Sequence, residues 1–195
     1  MKIANPFIYS IFENRIKKTF FMSQIEINKA SLSELEIIQK ISIRTFTDTF
    51  AAVNTAENMA NYIRDNFNLE KISSEINNPD SAFYIATFEN ETVGYLKINF
   101  DNAQTEKQKE NTLEIHRIYV LETFHGKKVG QLLLDEAIKI AQETNMDSIW
   151  LGVWEENHKA LRFYTKNGFV KFDKHIFILG DEVQTDLLMQ LEITK

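Results

Sequence analysis

Apolar positions recur along this chain with two periods, and the change from one to the other marks out the elements. IEINK at 25–29 alternates and reads as a short strand. Ser31 followed three residues later by Glu34 is a capping-box pattern, and Leu35, Ile38, Ile41 and Phe46 continue one helical stripe from it. Asn54 to Phe67 and Leu69 to Ile76 read as two further helices, stopped by Asn77-Asn78-Pro79-Asp80. Ala82 to Phe88 and Thr92 to Phe100 then alternate as strands about the polar turn Glu89-Asn90-Glu91, and residues 101 to 111 are polar enough for a surface loop.

The stretch from Leu113 to Ala141 is the most informative. Strict alternation predicts Leu113, Ile115, Arg117 and Tyr119 on one side of a strand and Glu114, His116, Ile118 and Val120 on the other, so that Glu114 and His116 share a face. A polar connection, HGKKVG, places Gly126 and Gly130 around Lys127 and Lys128. Val129, Leu132, Leu133, Ala137, Ile140 and Ala141 then follow at helical spacing. A glycine-containing loop that opens a helix presents free N–H groups and the positive end of the helix dipole, which suits a phosphate or pyrophosphate. Further on, SIWLGVW at 148–154 has the bulky apolar run of a central strand. Asn157 is a helix N-cap, and Ala160, Leu161, Phe163 and Tyr164 follow it on a helix ended by Asn167-Gly168. Phe169 to Leu179 and Gln184 to Ile193 read as two long strands. The order is mixed α/β, with no internal repeat between residues 25 and 193.

At 195 residues the chain has the length of a single domain. Residues 1–21 stand apart: their short apolar run precedes most of their positive charge, the reverse of a secretory signal. They read as an N-terminal extension upstream of a start at Met22, disordered or loosely helical, with an amphipathic membrane anchor as the rival reading. The domain is therefore expected at 22–195. Of 22 basic and 28 acidic residues, four basic and one acidic fall in the extension, so the domain has 18 against 27, a balance of -9. Such a body argues against duplex nucleic acid as a main partner and suits a cationic substrate. No membrane partner is expected of it, and a cytoplasmic location is. With no cysteine there is no thiol nucleophile, no disulfide and no Cys-ligated zinc, and the four histidines show no metal-binding spacing, so no metal is expected.

LEIHRIYV followed by FHGKKVGQLLL resembles the acetyl-CoA-binding segment of the GNAT superfamily of N-acetyltransferases, whose loop usually reads Gln or Arg, two residues, Gly, one residue, Gly or Ala. His125 stands at the first place, Lys128 where the first Gly is usual, and Gly130 at the last. NHKALRFYTKNGF resembles a second segment of that family, with Asn157, Phe163, Tyr164, Gly168 and Phe169 in its places. The resemblance implies a single GNAT-like α/β domain, with a mixed, mostly antiparallel twisted sheet of about seven strands flanked by helices. It implies acetyl-CoA as co-substrate between two splayed strands, held by Ile118, Tyr119 and Val120, by the loop His125, Gly126, Lys127, Lys128, Val129 and Gly130, and by Asn157, Phe163 and Tyr164. Tyr164 would protonate the departing thiol. An alkyl amine must shed a proton before it attacks, and Glu114 and His116 are the candidates to take it, with a water chain as alternative. Related sequences often have Glu at the place of His116.

Segments from TFTDTF to LGDEVQTDLLM, across residues 25 to 193, resemble the bacterial PaiA-type spermine/spermidine acetyltransferases. That implies direct acetyl transfer to a primary amine of a small polycation, with Asp48, Asp101 and Asp186 as candidate carboxylates for it. Acetylation of a protein or peptide amine is the alternative, and a non-catalytic acyl-CoA-binding regulator is the alternative of another class. Assembly as a homodimer is left open.

Overall fold

The computed structural model describes residues 24–106, 108, 110–180 and 182–194; the extension expected at 1–21 lies outside them. The elements run β1 (Ile25–Lys29), a 3-10 turn (Leu32–Glu34), α1 (Leu35–Phe50), α2 (Ala56–Asn66), α3 (Leu69–Asn77), β2 (Ser81–Phe88) and β3 (Glu91–Asn99). After a second short turn come β4 (Thr112–Val120), a third turn (Glu122–Phe124), α4 (Val129–Glu143), β5 (Ser148–Trp154), α5 (His158–Lys166), β6 (Val170–Leu179) and β7 (Glu182–Glu192). The capping box at Ser31 forms, with the Ser31 N–H donating to Glu34 Oε2 at 2.8 Å, and it starts the 3-10 turn that leads into α1. α2 begins two residues later than its periodicity predicts, because the Thr55 hydroxyl accepts from the Asn58 N–H and makes Thr55 the cap.

The seven strands form one sheet in the order β1-β2-β3-β4-β5-β7-β6. All neighbours are antiparallel except β4 and β5. The helices cover both faces. Gly94 on β3 faces α4, where a Cβ would stand 3.3 Å from the Leu133 side chain, whereas Tyr95 beside it meets Ser42 of α1 on the other face. Leu133, Leu134, Ala137 and Ile140 of α4 are buried on the first face; Ile38, Ile41, Phe46, Phe67 and Ile72 fill the space between the second face and α1 to α3. The family-like architecture expected from sequence is present: one α/β domain with a seven-stranded, mostly antiparallel open sheet and five helices.

Strict alternation in β4 fails at one residue. Ile98 pairs with Ile115 and Lys97 with Arg117, so His116 is an extra residue, a β-bulge. The consequence is a change of face partway along the strand. Glu114 opposite Asn99, Arg117 opposite Lys97 and Tyr119 opposite Tyr95 share the α1 side, and the expected grouping of Arg117 with Leu113 and Ile115 is corrected.

Candidate active site

β4 and β5 pair only from Thr112 to Glu114 and from Ser148 to Trp150; past that point they part. Two cavities meet in the gap. One, of about 750 Å³, lies at the start of α4; the other, of about 400 Å³, lies among α1, α2, β5, β6 and β7. Ile118, Tyr119, Asn157, Ala160 and Tyr164 line both. The two cavities therefore adjoin between Ile118 and Tyr119 of β4 on one side and Asn157, Ala160 and Tyr164 on the other.

The larger cavity has the features of an anion site. Lys128 is the N-cap of α4 and takes a left-handed conformation (φ 67°, ψ 9°), and Gly126 is also at positive φ. The Lys128 carbonyl accepts from the Leu132 N–H at 3.1 Å, so the N–H groups of Val129 and Gly130 precede the first helical hydrogen bond. His125 is fixed at both nitrogens, with Nε2 2.9 Å from the Val120 carbonyl and Nδ1 2.7 Å from Lys159 Nζ. Because a carbonyl only accepts, Nε2 carries the proton and Nδ1 receives the ammonium of Lys159. Lys128, Lys159 and Lys166 all line this cavity. Free N–H groups, a helix N-terminus and three lysines fit the phosphates of a nucleotide thioester.

Of the residues expected around the co-substrate, Ile118, Tyr119, Val120, His125, Gly126, Lys128, Val129, Gly130, Asn157, Phe163 and Tyr164 line this cavity. Lys127 does not, because its ammonium lies over the Phe124 ring, 4.5 Å from the centroid. Lys159 and Lys166 were not singled out from sequence. Their signal was available in the helical spacing from Asn157, which carries both onto the turns beside Ala160 and Phe163. Asp48 lines the larger cavity and Asp186 the smaller, whereas Asp101 lines neither.

The smaller cavity is walled by aromatic rings and edged by carboxylates. Phe50 and Trp154 lie 6.1 Å apart, Tyr62 and Phe177 6.0 Å. Glu114 is buried, and its carboxylate accepts from Asn99 Nδ2 and from the Thr105 N–H, each at 2.9 Å, and from the Thr105 hydroxyl. Burial raises its pKa, against the pull of those donors. Three donors on one carboxylate leave it poorly placed to collect a proton. His116 differs: its Nδ1 is buried with no hydrogen-bond partner among the described residues, and the ring lines the cavity. Burial holds its pKa well below the ordinary 6.5, helped by the charges of Arg117, Lys97 and Lys71. The imidazole is thus neutral at neutral pH, and a neutral imidazole can accept a proton. Tyr164 is buried against Phe169, at 5.5 Å between ring centroids, and burial raises its pKa, so the phenol keeps its proton.

Beneath the cavity lies a buried charge cluster. Glu75 of α3 reaches Lys97 Nζ at 2.9 Å and Arg117 Nη1 at 3.3 Å, and the guanidinium packs on the Phe67 ring. Burial, with Arg117 nearby, brings the Lys97 pKa down to about 8 although Glu75 opposes this. The cluster is not legible in the sequence, because Lys97 and Arg117 lie 22 and 42 residues from Glu75; the β3–β4 register sets the two cations side by side and the packing of α3 brings Glu75 to them.

Residues 39–169 match the model of the acetyltransferase (GNAT) family. The chain belongs to that family, and it is an acetyl-CoA-dependent N-acetyltransferase. It is 38% identical over 169 residues, covering 87% of this chain and 98% of its relative, to an uncharacterized N-acetyltransferase in the pepI 3' region of Lactobacillus delbrueckii subsp. lactis. It is 30% identical over 149 residues, 74% of this chain and 88% of its relative, to a spermidine N(1)-acetyltransferase from Thermoplasma acidophilum. The fold superposes on the PaiA N-acetyltransferase of Thermoplasma acidophilum, solved in complex with coenzyme A, with a TM-score of 0.72 and 27% identity over 86% of this chain and 98% of that one. Among the described residues no cluster of His, Asp and Glu has a metal-holding arrangement, and no helix is long and apolar enough to cross a membrane.

Proposed function

We propose that this enzyme transfers the acetyl group of acetyl-CoA directly to a primary amine of a small polyamine such as spermidine or spermine. The observation that carries the reading is the smaller cavity: apolar aromatic walls, carboxylates at the edge, and an opening onto Tyr164. A polyamine is a chain of methylenes between cations, and such a wall and edge match it. Similarity to the spermidine acetyltransferase of Thermoplasma acidophilum supports the same substrate class.

In this reading the His125–Gly130 loop, with Lys159, receives the phosphates of acetyl-CoA, and Ile118, Tyr119, Val120, Asn157 and Phe163 border the arm that carries the thioester. The acceptor enters from the opposite side. His116 takes a proton from the ammonium, and the freed nitrogen attacks the thioester carbonyl to form the C–N bond. As the C–S bond breaks, the Tyr164 hydroxyl gives its proton to the leaving sulfur, and the tyrosine is reprotonated by the proton shed from the acylated nitrogen. No step needs an acyl-enzyme, in keeping with a chain without cysteine.

Steady-state kinetics with acetyl-CoA against spermine, spermidine, putrescine and a lysine peptide test the proposal. Turnover of the polyamines with a kcat/KM well above that of the peptide is expected. Robust acetylation of the peptide with no turnover of any polyamine would overturn the acceptor assignment.

A further inference from the structure

One end of the acceptor cavity is built from three separate stretches of chain. His175 of β6 contacts Glu106 through Nδ1, and Glu106 lies in the segment between β3 and β4. Its Nε2 stands 3.6 Å from Asp186 Oδ2 of β7. All three residues line the cavity. The floor below them is Gly152, where a Cβ would come within 3.6 Å of both Asp186 Oδ2 and His175 Cε1. Gly152 is exposed although Leu151 and Val153 on either side are buried, so the cavity reaches the middle of a central strand at this place.

Two further polar atoms in the same cavity have no hydrogen-bond partner among the described residues. They are the buried His116 Nδ1 and the buried Gln184 Oε1. Both can accept a hydrogen bond, and buried acceptors left alone are costly, which points to a donor-rich occupant. The other charges bordering the cavity are already matched: Arg117 by Glu75, and Glu114 by Asn99 and Thr105. Among the described residues that line the cavity, Glu106 and Asp186, facing one imidazole, are left to offer negative charge to an incoming group. Phe50, Trp154, Tyr62 and Phe177 line the same cavity and offer a surface for methylenes and for the face-on approach of a cation.

We propose that Glu106 and Asp186, with His175 between them, hold a second, non-reacting ammonium group of the acceptor while the reacting amine is presented to His116 and Tyr164. The assignment rests on the polyamine reading above and narrows it. The preferred acceptor has at least two cationic nitrogens joined by an apolar chain, and the enzyme separates it from a monoamine of equal length by the distal charge. Glu106 and Asp186 act here as specificity determinants and take no part in the bond changes.

The test compares kcat/KM for putrescine with that for butylamine, which differ in the terminal ammonium alone, in the wild type and in Glu106→Gln, Asp186→Asn and Gly152→Ala. The two charge variants remove the attraction, while Gly152→Ala keeps both carboxylates and narrows the floor beneath them. Glu106→Gln and Asp186→Asn are each expected to lower the putrescine-over-butylamine ratio by about tenfold or more, mainly through KM for putrescine, and Gly152→Ala, whose Cβ would stand at ordinary contact distance from both groups, to lower it less. Thermal unfolding of each variant verifies that it is folded. A wild-type ratio retained by all three variants overturns the assignment and leaves polyamine acetylation standing. A wild type that acetylates no polyamine at all overturns the proposed function instead.

Discussion

Asn99 and Glu114 stand opposite each other across β3 and β4, and the Asn99 amide donates to Glu114 Oε2 at 2.9 Å. The Ser81 hydroxyl fixes that amide in turn by donating to Asn99 Oδ1 at 2.6 Å. Glu114 is thereby held as an acceptor for three donors, a structural post at the place where the splay begins. Glu114→Gln would set an amide NH₂ against N–H and O–H donors. A loss of about 1–3 kcal/mol is expected, with the melting temperature lowered by several degrees. The pH–rate profile of the folded variant should match that of the wild type, and a shifted acid limb would return Glu114 to the list of proton acceptors.

Tyr164→Phe removes a hydroxyl and leaves the packing on Phe169. Its kcat should fall by about 10²-fold or more while Kd for CoA changes little, since the proton is needed only as the thiolate departs. Pre-steady-state kinetics together with CoA titration would separate the two quantities. Unchanged turnover would remove the phenol from the mechanism.

His116 should give the protein a pH-dependent stability of defined sign. Its folded-state pKa lies well below 6.5, so the unfolded chain binds a proton that the folded one refuses. The stability linked to it is present in full above about pH 6.5 and is lost as the pH falls below that value. Urea unfolding at pH 7, 6 and 5 should show a shallower decline for His116→Asn than for the wild type. The same variant should lose most of its acetylation rate at neutral pH, and the wild-type rate should persist below pH 6.5 because the base remains unprotonated there.

Lys128 occupies a left-handed position that costs a non-glycine residue roughly 1 kcal/mol. Lys128→Gly should therefore raise the melting temperature by about 2–4 °C. Loss of the charge beside the N-terminus of α4 should at the same time weaken CoA binding, by about threefold to tenfold at low salt. Calorimetric unfolding and CoA titration on one preparation would measure both, and a variant that is neither more stable nor weaker in binding would contradict the account.

The cluster of Lys97, Glu75 and Arg117 should respond unequally to losing its members. Glu75→Gln leaves two buried cations without a counter-charge and should cost about 3–5 kcal/mol. Lys97→Met leaves Glu75 paired with Arg117 and should stay within about 1 kcal/mol of the wild type. Denaturant unfolding of the two variants side by side checks this, and equal costs would mean that the cations do not share the carboxylate energetically.

Much of this was readable in the chain. The loop before α4 and the run from Asn157 to Phe169 are local patterns, and local patterns survive folding. What escaped was non-local. The bulge at His116 arises from pairing with β3, and no alternation within β4 could reveal it. Glu106 and His175 looked like loop and strand polarity until β6, β7 and the segment after β3 brought them together. Lys127 and Lys128 are adjacent and alike in sequence, but one lies on Phe124 and the other faces the cavity, a difference set by backbone conformation.

The short ladder between β4 and β5 also has a mechanical meaning. β4 keeps β3 along its length and β5 keeps β7, so the sheet is two plates, β1 to β4 and β5 to β6, stitched along one end of a seam. A wedge motion of such a pair would have least travel at Thr112 and Ser148, where the rungs are, and most toward the unpaired Val120 and Trp154 ends of the two strands. A molecule lodged across the open end supplies the rungs that the seam lacks, so amide exchange along the inner margins of β4 and β5 should slow when the site is filled and quicken when it empties.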